Sequence, residues 1–247
     1  MSMELYYWPG LPGRGEYVRL VLVAIDAPWR DMARLAERQG GGMDGLLRVL
    51  GDEREPFAPF ACPVLKDGDL LIAQTPLICA YLGETYGLAP ADEAERLFAR
   101  QIALTTADLV NEAHDVHHPL GSWDYYEDQK PEAARRAAGF RDQRIPKFLG
   151  WYEQVLTRNP AASGWLVGAG LSYADLGLFQ TVLGLRYAFP NHMAGLAGHW
   201  PGVEALVDRV AALPRIAAYL DSDRRLAFNQ DGIFRHYPEL DAPAVPG

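Results

Sequence analysis

Every stretch with the chemistry of a β-strand lies in the first third of this 247-residue chain, and none follows Gly87. Glu4-Leu5-Tyr6-Tyr7-Trp8 is rich in strand-forming aromatics and stops at Pro9-Gly10, a turn dipeptide. From Tyr17 to Ile25, Val18, Val21, Leu22 and Ile25 recur at helical spacing. A second strand is expected near Trp29 to Leu35, then a loop over Arg38 to Gly42 and a short helix from Met43 to Leu50. Pro63 to Ala73 holds two apolar runs around Asp67-Gly68, which predicts a hairpin turning on that dipeptide. Thr75 is expected to cap the next helix with Pro76 at its first position, and that helix should end near Tyr86-Gly87. The order β-α-β-α-β-β-α fills residues 1–87 as a small α/β domain.

Beyond it only helical periodicity remains, over Ala94 to Val116, Glu132 to Leu156, Tyr173 to Tyr187, Val203 to Ala212 and Arg215 to Leu220. Residues 92–247 therefore read as an all-helical domain with a C-terminal tail, the division falling between Gly83 and Asp92. Ser172 to Asp175 is a capping-box pattern, in which hydroxyl and carboxylate each accept from amides at the helix start. The segment from Asp241 onward is expected to fray.

Composition excludes several function classes. The net charge is −9, with −4 in residues 1–87 and −5 in the rest, and no block of Lys and Arg suits nucleic acid. No apolar run approaches the length of a membrane span, and no signal-peptide pattern opens the chain, so a soluble cytoplasmic protein is expected. Two cysteines, Cys62 and Cys79, do not make a disulfide framework. His114, His117 and His118 share a helix face at i, i+3 and i+4, a spacing able to hold zinc. Pro119 ends that helix and no fourth ligand is indicated, so no metal is expected and a polar surface beside a substrate is the preferred reading.

Four motifs, in order, resemble the cytosolic glutathione transferase superfamily. Leu5-Tyr6-Tyr7-Trp8 followed by Gly13-Arg14-Gly15-Glu16-Tyr17-Val18-Arg19 is similar to the family's opening strand and first helix. Cys62-Pro63-Val64-Leu65 resembles its cis-proline segment, Gln74-Thr75 its Gln-Ser pair, and Ser172 to Asp175 its helical capping box. The resemblance runs to about Leu220. It implies a thioredoxin-like α/β N-terminal domain, an all-α C-terminal domain and a homodimer. The link Pro9-Gly10-Leu11-Pro12 is about one residue longer than the family's, and the loop from Trp29 to Pro63 is also long. Arg54 is the single candidate in that loop for the glycine carboxylate of glutathione.

The resemblance implies glutathione as co-substrate, with no cofactor, and an apolar electrophile as its partner. A free thiol with a pKa of about 8.5 is only a few per cent thiolate at neutral pH. Lowering that pKa by about two units requires about 2.7 kcal/mol, within reach of a charge-assisted hydrogen bond and a nearby positive dipole. Tyr7 is the implied donor, since alternation points Tyr6 to the opposite face. Arg14 would add positive charge beside the sulfur. Trp8 would also contact glutathione, and the backbone of Cys62, before Pro63, would pair with the cysteinyl backbone as an added strand does. Gln74 and Thr75 lie at a helix start, where free amides suit the γ-glutamyl carboxylate. Asp108 would reach the γ-glutamyl amine across the dimer. Trp8, Leu11, Tyr125 and Phe228 are candidates for the electrophile wall. Three rival readings stand beside it: a glutathione-dependent peroxidase or isomerase, a non-catalytic ligand-binding protein on the same fold, and a metal-dependent hydrolase built on the His114 cluster.

Overall fold

The computed structural model describes residues 2–243. They form two compact units. The first runs to Ala89 and takes in Ala212–Ala227; the second is Pro90–Ala211 with the chain from Phe228 onward.

The first unit is built on a four-stranded mixed sheet of order β2-β1-β3-β4. β1 (Met3–Tyr6) runs parallel to β2 (Trp29–Asp31), joined by α1 (Gly15–Ile25), and antiparallel to β3 (Val64–Asp67). β3 and β4 (Leu70–Ala73) form the hairpin. α2 (Gly42–Leu50), α3 (Thr75–Thr85) and α10 (Pro214–Leu220) complete the unit. Strand alternation divides the core. Tyr6, Met32, Leu46 and Val64 cluster on the face that α2 covers. Leu5 and Leu65, directly opposed in the ladder, are fully buried and face the other way. α1 and α3 pack against each other, and α1 also packs on α10.

Three local details differ from expectation. The second strand stops at Asp31, and Met32–Arg34 forms a 3₁₀ turn. In the hairpin Asp67 pairs with Leu70, so the two-residue turn is Gly68-Asp69, with Gly68 at φ 59°. Gly tolerates that left-handed angle, and Asp67 stays in the ladder, where its carboxylate accepts the Tyr81 and Tyr86 hydroxyls at 2.9 and 3.0 Å. Thr75 is not the cap of α3 but its first residue; Gln74 stands at the cap with φ 72° and makes no side-chain capping bond.

The second unit is helical: α4 (Glu93–Asp115), α5 (Lys130–Gly139), α6 (Ile145–Arg158), α7 (Tyr173–Ala188), α8 (Pro190–Gly195) and α9 (Pro201–Ala211). α7 is buried on nearly every side, with Asp175, Gln180 and Thr181 buried among its apolar residues, and packs on α4 and α9. The single helix expected over Glu132 to Leu156 is two helices joined by a π turn, Phe140–Arg144. Pro146 has no N–H and its ring crowds the carbonyl four residues earlier, so the ladder widens ahead of it. The short α8 has no counterpart in the periodicity.

The tail is docked. The Phe234 ring lies where a Cβ on Gly184 would be, Tyr237 stacks on Tyr126 at 3.8 Å between ring centres, and the Arg141 guanidinium donates to the Leu240 carbonyl. Asp241 is buried instead of frayed, because its carboxylate caps α8 through the amides of Asn191 and His192 at 2.8 and 3.1 Å. Only residues 244–247 of the expected frayed segment lie outside the described residues.

The capping box at α7 is carried by its acid. The Asp175 carboxylate is fully buried and accepts the backbone amides of Leu166 at 2.8 Å and Ser172 at 2.7 Å. Ser172 Oγ donates to it at 2.8 Å; the hydroxyl thus completes the acid's hydrogen bonds, where an amide acceptor was expected. Burial raises the Asp175 pKa to about 6. Removing this carboxylate orphans two buried amides. Asp175→Ala is expected to lower unfolding free energy by about 2–4 kcal/mol and Ser172→Ala by about 1 kcal/mol, measured by urea denaturation.

Candidate functional site

The first unit gathers most of the residues singled out in its sequence. Tyr7 follows the last residue of β1 and is buried, while Tyr6 points to the opposite face and donates to Glu4 at 2.7 Å. The Tyr7 oxygen accepts the backbone N–H of Arg14 at 2.8 Å. An oxygen that accepts there keeps its own O–H free to donate elsewhere. Burial raises the Tyr7 pKa, so the hydroxyl holds its proton at neutral pH. Two glycines permit this approach: a Cβ on Gly13, which has φ 41°, would overlap the Tyr7 hydroxyl, and a Cβ on Gly15 would press into the ring. The Arg14 charge lies close enough to favour the ionised forms of both Tyr7 and Cys62.

The Cys62–Pro63 bond is cis. Cys62 is half-buried, and its sulfur receives the backbone N–H of Trp8; burial still dominates and pushes the thiol up to about 11. It is therefore a protonated thiol at neutral pH, without the thiolate character that a reactive cysteine needs. Cys79 is buried in α3 and pushed up to about 12 by burial alone. At the start of α3, Thr75 Oγ1 is buried without a hydrogen-bond partner among the described residues. Gln74 beside it is exposed. The first amides of a helix point outward unpaired, so this end combines an orphan hydroxyl, free N–H groups and the positive end of the helix dipole. Trp8 is 37% exposed and Leu11 is half-buried.

Arg54 is exposed and fixed on Asp52, with Nε and one terminal nitrogen on the two carboxylate oxygens at 2.9 and 3.0 Å. Asp108, Tyr125 and Phe228 belong to the second unit. Asp108 is exposed on α4, Tyr125 is 77% exposed, and Phe228 stacks on Tyr187 with 5.1 Å between ring centres. The histidines are packed together, His114 within 5.1 Å of both others between ring centres. His117 Nε2 lies 2.8 Å from the Ile233 carbonyl, to which it must donate. The neutral ring then accepts at Nδ1, from His118 Nδ1 at 2.5 Å. Burial lowers His117 to about 3 and His118 to about 4, which keeps both neutral. Their facing nitrogens are thus occupied by each other.

One charged cluster was not singled out for a role. Arg19 has no exposure, yet its Nε donates to Asp31 at 2.7 Å and one terminal nitrogen reaches Glu16 and the carbonyls of Leu11 and Pro12, each at 3.3 Å. Its guanidinium stands 5.9 Å from the centre of the Tyr7 ring. Glu16, equally buried, also accepts the Tyr219 hydroxyl at 2.7 Å and pairs with Arg225. The signal in the sequence is two charges, Glu16 and Arg19, three apart within the apolar stretch that forms α1.

Known proteins match across this architecture. Residues 114–223 match the family model "Glutathione S-transferase, C-terminal domain". A glutathione S-transferase of Plasmodium falciparum is 23% identical over 92% of this chain and 99% of its own length. Glutathione S-transferase P 1 of Xenopus laevis is 27% identical over 90% of this chain and 92% of its own. Among solved structures, the Pi-class glutathione S-transferase of Onchocerca volvulus superposes with a TM-score of 0.67 at 22% identity, covering 90% of this chain and 93% of its own. With a four-stranded mixed sheet in its first unit and an all-helical second unit, the chain is similar over nearly its whole length to glutathione S-transferases.

Proposed function

We propose that the protein is a glutathione transferase in which Tyr7 stabilises the glutathione thiolate for attack on apolar electrophiles. The observation that carries this reading is the Tyr7 hydroxyl: buried, protonated, fixed by the Arg14 amide and left with its hydrogen to donate. A hydrogen bond from that O–H to sulfur favours the charged form and lowers the thiol pKa. The thiol proton leaves to water, the thiolate forms a carbon–sulfur bond, and the electrophile's leaving group departs with its electron pair. Arg14 adds a favourable charge. The γ-glutamyl carboxylate is assigned to the start of α3, where Thr75 has an unused hydroxyl and Gln74 is exposed. The backbone of Cys62 and Pro63 is assigned to the cysteinyl moiety, and Trp8 and Leu11 to the side from which the electrophile approaches. A homodimer, with Asp108 serving a neighbouring copy's glutathione amine, and a detoxifying role in the cytoplasm belong to the same proposal. Relatives named glutathione S-transferase support the activity class. No helix among the described residues is long and apolar enough to cross a membrane.

Tyr7→Phe keeps the ring and deletes the donor. It is expected to raise the pH midpoint of glutathione conjugation to chlorodinitrobenzene and to slow the reaction at pH 7 by about 10-fold or more, as a shift of one to two pKa units requires. Tyr6→Phe should leave the midpoint in place; a crippled Tyr6→Phe beside a normal Tyr7→Phe would reverse the assignment. Retention on glutathione resin without turnover of any electrophile would instead mark a binding protein.

Gly13→Ala tests the same hydroxyl from the backbone side. The new methyl group displaces Tyr7 Oη, so the pH midpoint should rise toward that of Tyr7→Phe while the fold, followed by circular dichroism, persists.

A further inference from the structure

The Tyr7 oxygen is fixed by the backbone N–H of Arg14, and α1 begins at the next residue, Gly15. The direction of that N–H is set by the first turn of α1 and by the link before it. No side chain caps this helix end. Its backbone anchor is the Glu16 N–H, which donates to the Pro12 carbonyl at 2.8 Å. The remaining anchor is the Glu16 side chain.

Glu16 is fully buried. Oε2 accepts from Arg19 at 3.3 Å, and the same Arg19 nitrogen reaches the carbonyls of Leu11 and Pro12 in the link. Oε1 accepts the Tyr219 hydroxyl at 2.7 Å and the Arg225 guanidinium. Tyr219 is buried in α10, and the Arg225 side chain, just beyond that helix, is 12% exposed. A buried acid needs such partners wherever it stands. Here it stands two residues past the amide that holds Tyr7. The Tyr7 ring and hydroxyl also fill the space that a Cβ on Gly15 or Gly13 would take. Turn and tyrosine are in direct contact, so a shift of the turn shifts the donor.

We propose that Tyr219 and Arg225 are positioning residues for thiol activation, an assignment that rests on Tyr7 being the thiolate donor. Acting through Glu16, they hold the first turn of α1 where the Arg14 N–H meets the Tyr7 oxygen and leaves the phenolic hydrogen directed at sulfur. Arg225 also balances charge. Arg19 and Arg225 offset Glu16 and Asp31 in this network. Without Arg225 the network carries one net negative charge beside Tyr7, which disfavours a thiolate.

The test follows the glutathione thiol by the ultraviolet absorbance of its thiolate in the enzyme complex, and by the pH profile of chlorodinitrobenzene conjugation, in the full-length protein. Tyr219→Phe and Arg225→Gln should each raise the pH midpoint by about half a pH unit or more. The rate at pH 7 should then fall by about 3-fold or more, with the KM for glutathione changed by less than about 2-fold. Arg225→Lys should restore the midpoint. In the Tyr7→Phe background, Tyr219→Phe should move the midpoint no further. Circular dichroism and urea denaturation identify the folded variants; if Tyr219→Phe does not fold, the Arg225 pair decides. A midpoint left in place in either folded variant overturns the assignment, even if activity drops, because that pattern marks a merely structural role. An equal additional rise in the Tyr7→Phe background overturns it as well. If Tyr7→Phe raises the midpoint and these variants do not, positioning by Tyr219 and Arg225 fails alone; if Tyr7→Phe itself leaves the midpoint unchanged, the reading of Tyr7 fails with it.

Discussion

The first unit depends on one buried cation. Arg19 sits at zero exposure inside α1 and would be prohibitively costly there alone, since stripping water from a guanidinium costs several kcal/mol even after relaxation. It is kept by two carboxylates, Asp31 on β2 and Glu16 one turn earlier, and by the carbonyls of Leu11 and Pro12. Those carbonyls belong to the link between Tyr7 and Arg14. The same cation therefore joins strand, helix and link, and the link sets where the Arg14 amide meets the Tyr7 oxygen. Glu16 extends the network to Tyr219 and Arg225, bringing α10 and its following segment into the same electrostatic unit.

The proposed choice of Tyr7 over Tyr6 rests on the surroundings of the two hydroxyls. The two residues are adjacent and both buried, but they occupy different fields. Tyr6 donates to Glu4, so its proton is committed and its pKa pushed upward by burial and that carboxylate. Tyr7 faces the Arg14 amide and the charges of Arg14 and Arg19, and its proton is uncommitted. One step along a strand separates a hydroxyl that donates to a carboxylate from one that accepts a backbone amide.

Much of this was legible in the chain. Aromatic and β-branched runs located the strands, and the loss of such runs after Gly87 located the helical half, because periodicity reports burial directly. Boundaries that depend on one local contact were displaced by a residue. Tyr81 and Tyr86 keep Asp67 in the ladder, and Gln74 takes up a positive φ where Thr75 was expected to cap. The π turn before Pro146 and the capping of α8 by Asp241 were missed for a different reason. Each depends on a partner distant in sequence or on a backbone adjustment that no periodic pattern encodes. Arg54 was picked out by its place in the long loop, and its bonds to Asp52, two residues away, were not. The Glu16–Arg19 pair was visible as two charges within an apolar helix, but its partners Asp31, Tyr219 and Arg225 could be identified only after folding.

The chain enters the first unit twice, through its opening stretch to Ala89 and again at Ala212–Ala227. The thioredoxin-like portion is thus not a module that can be cut out as one piece of gene. A fragment ending near residue 89 would contain every strand of the sheet and would still carry Glu16 buried without Tyr219 or Arg225. Recombination between relatives that exchanged only the first ninety residues would separate a carboxylate from its partners. Such exchanges are constrained by a contact whose two sides lie about two hundred residues apart.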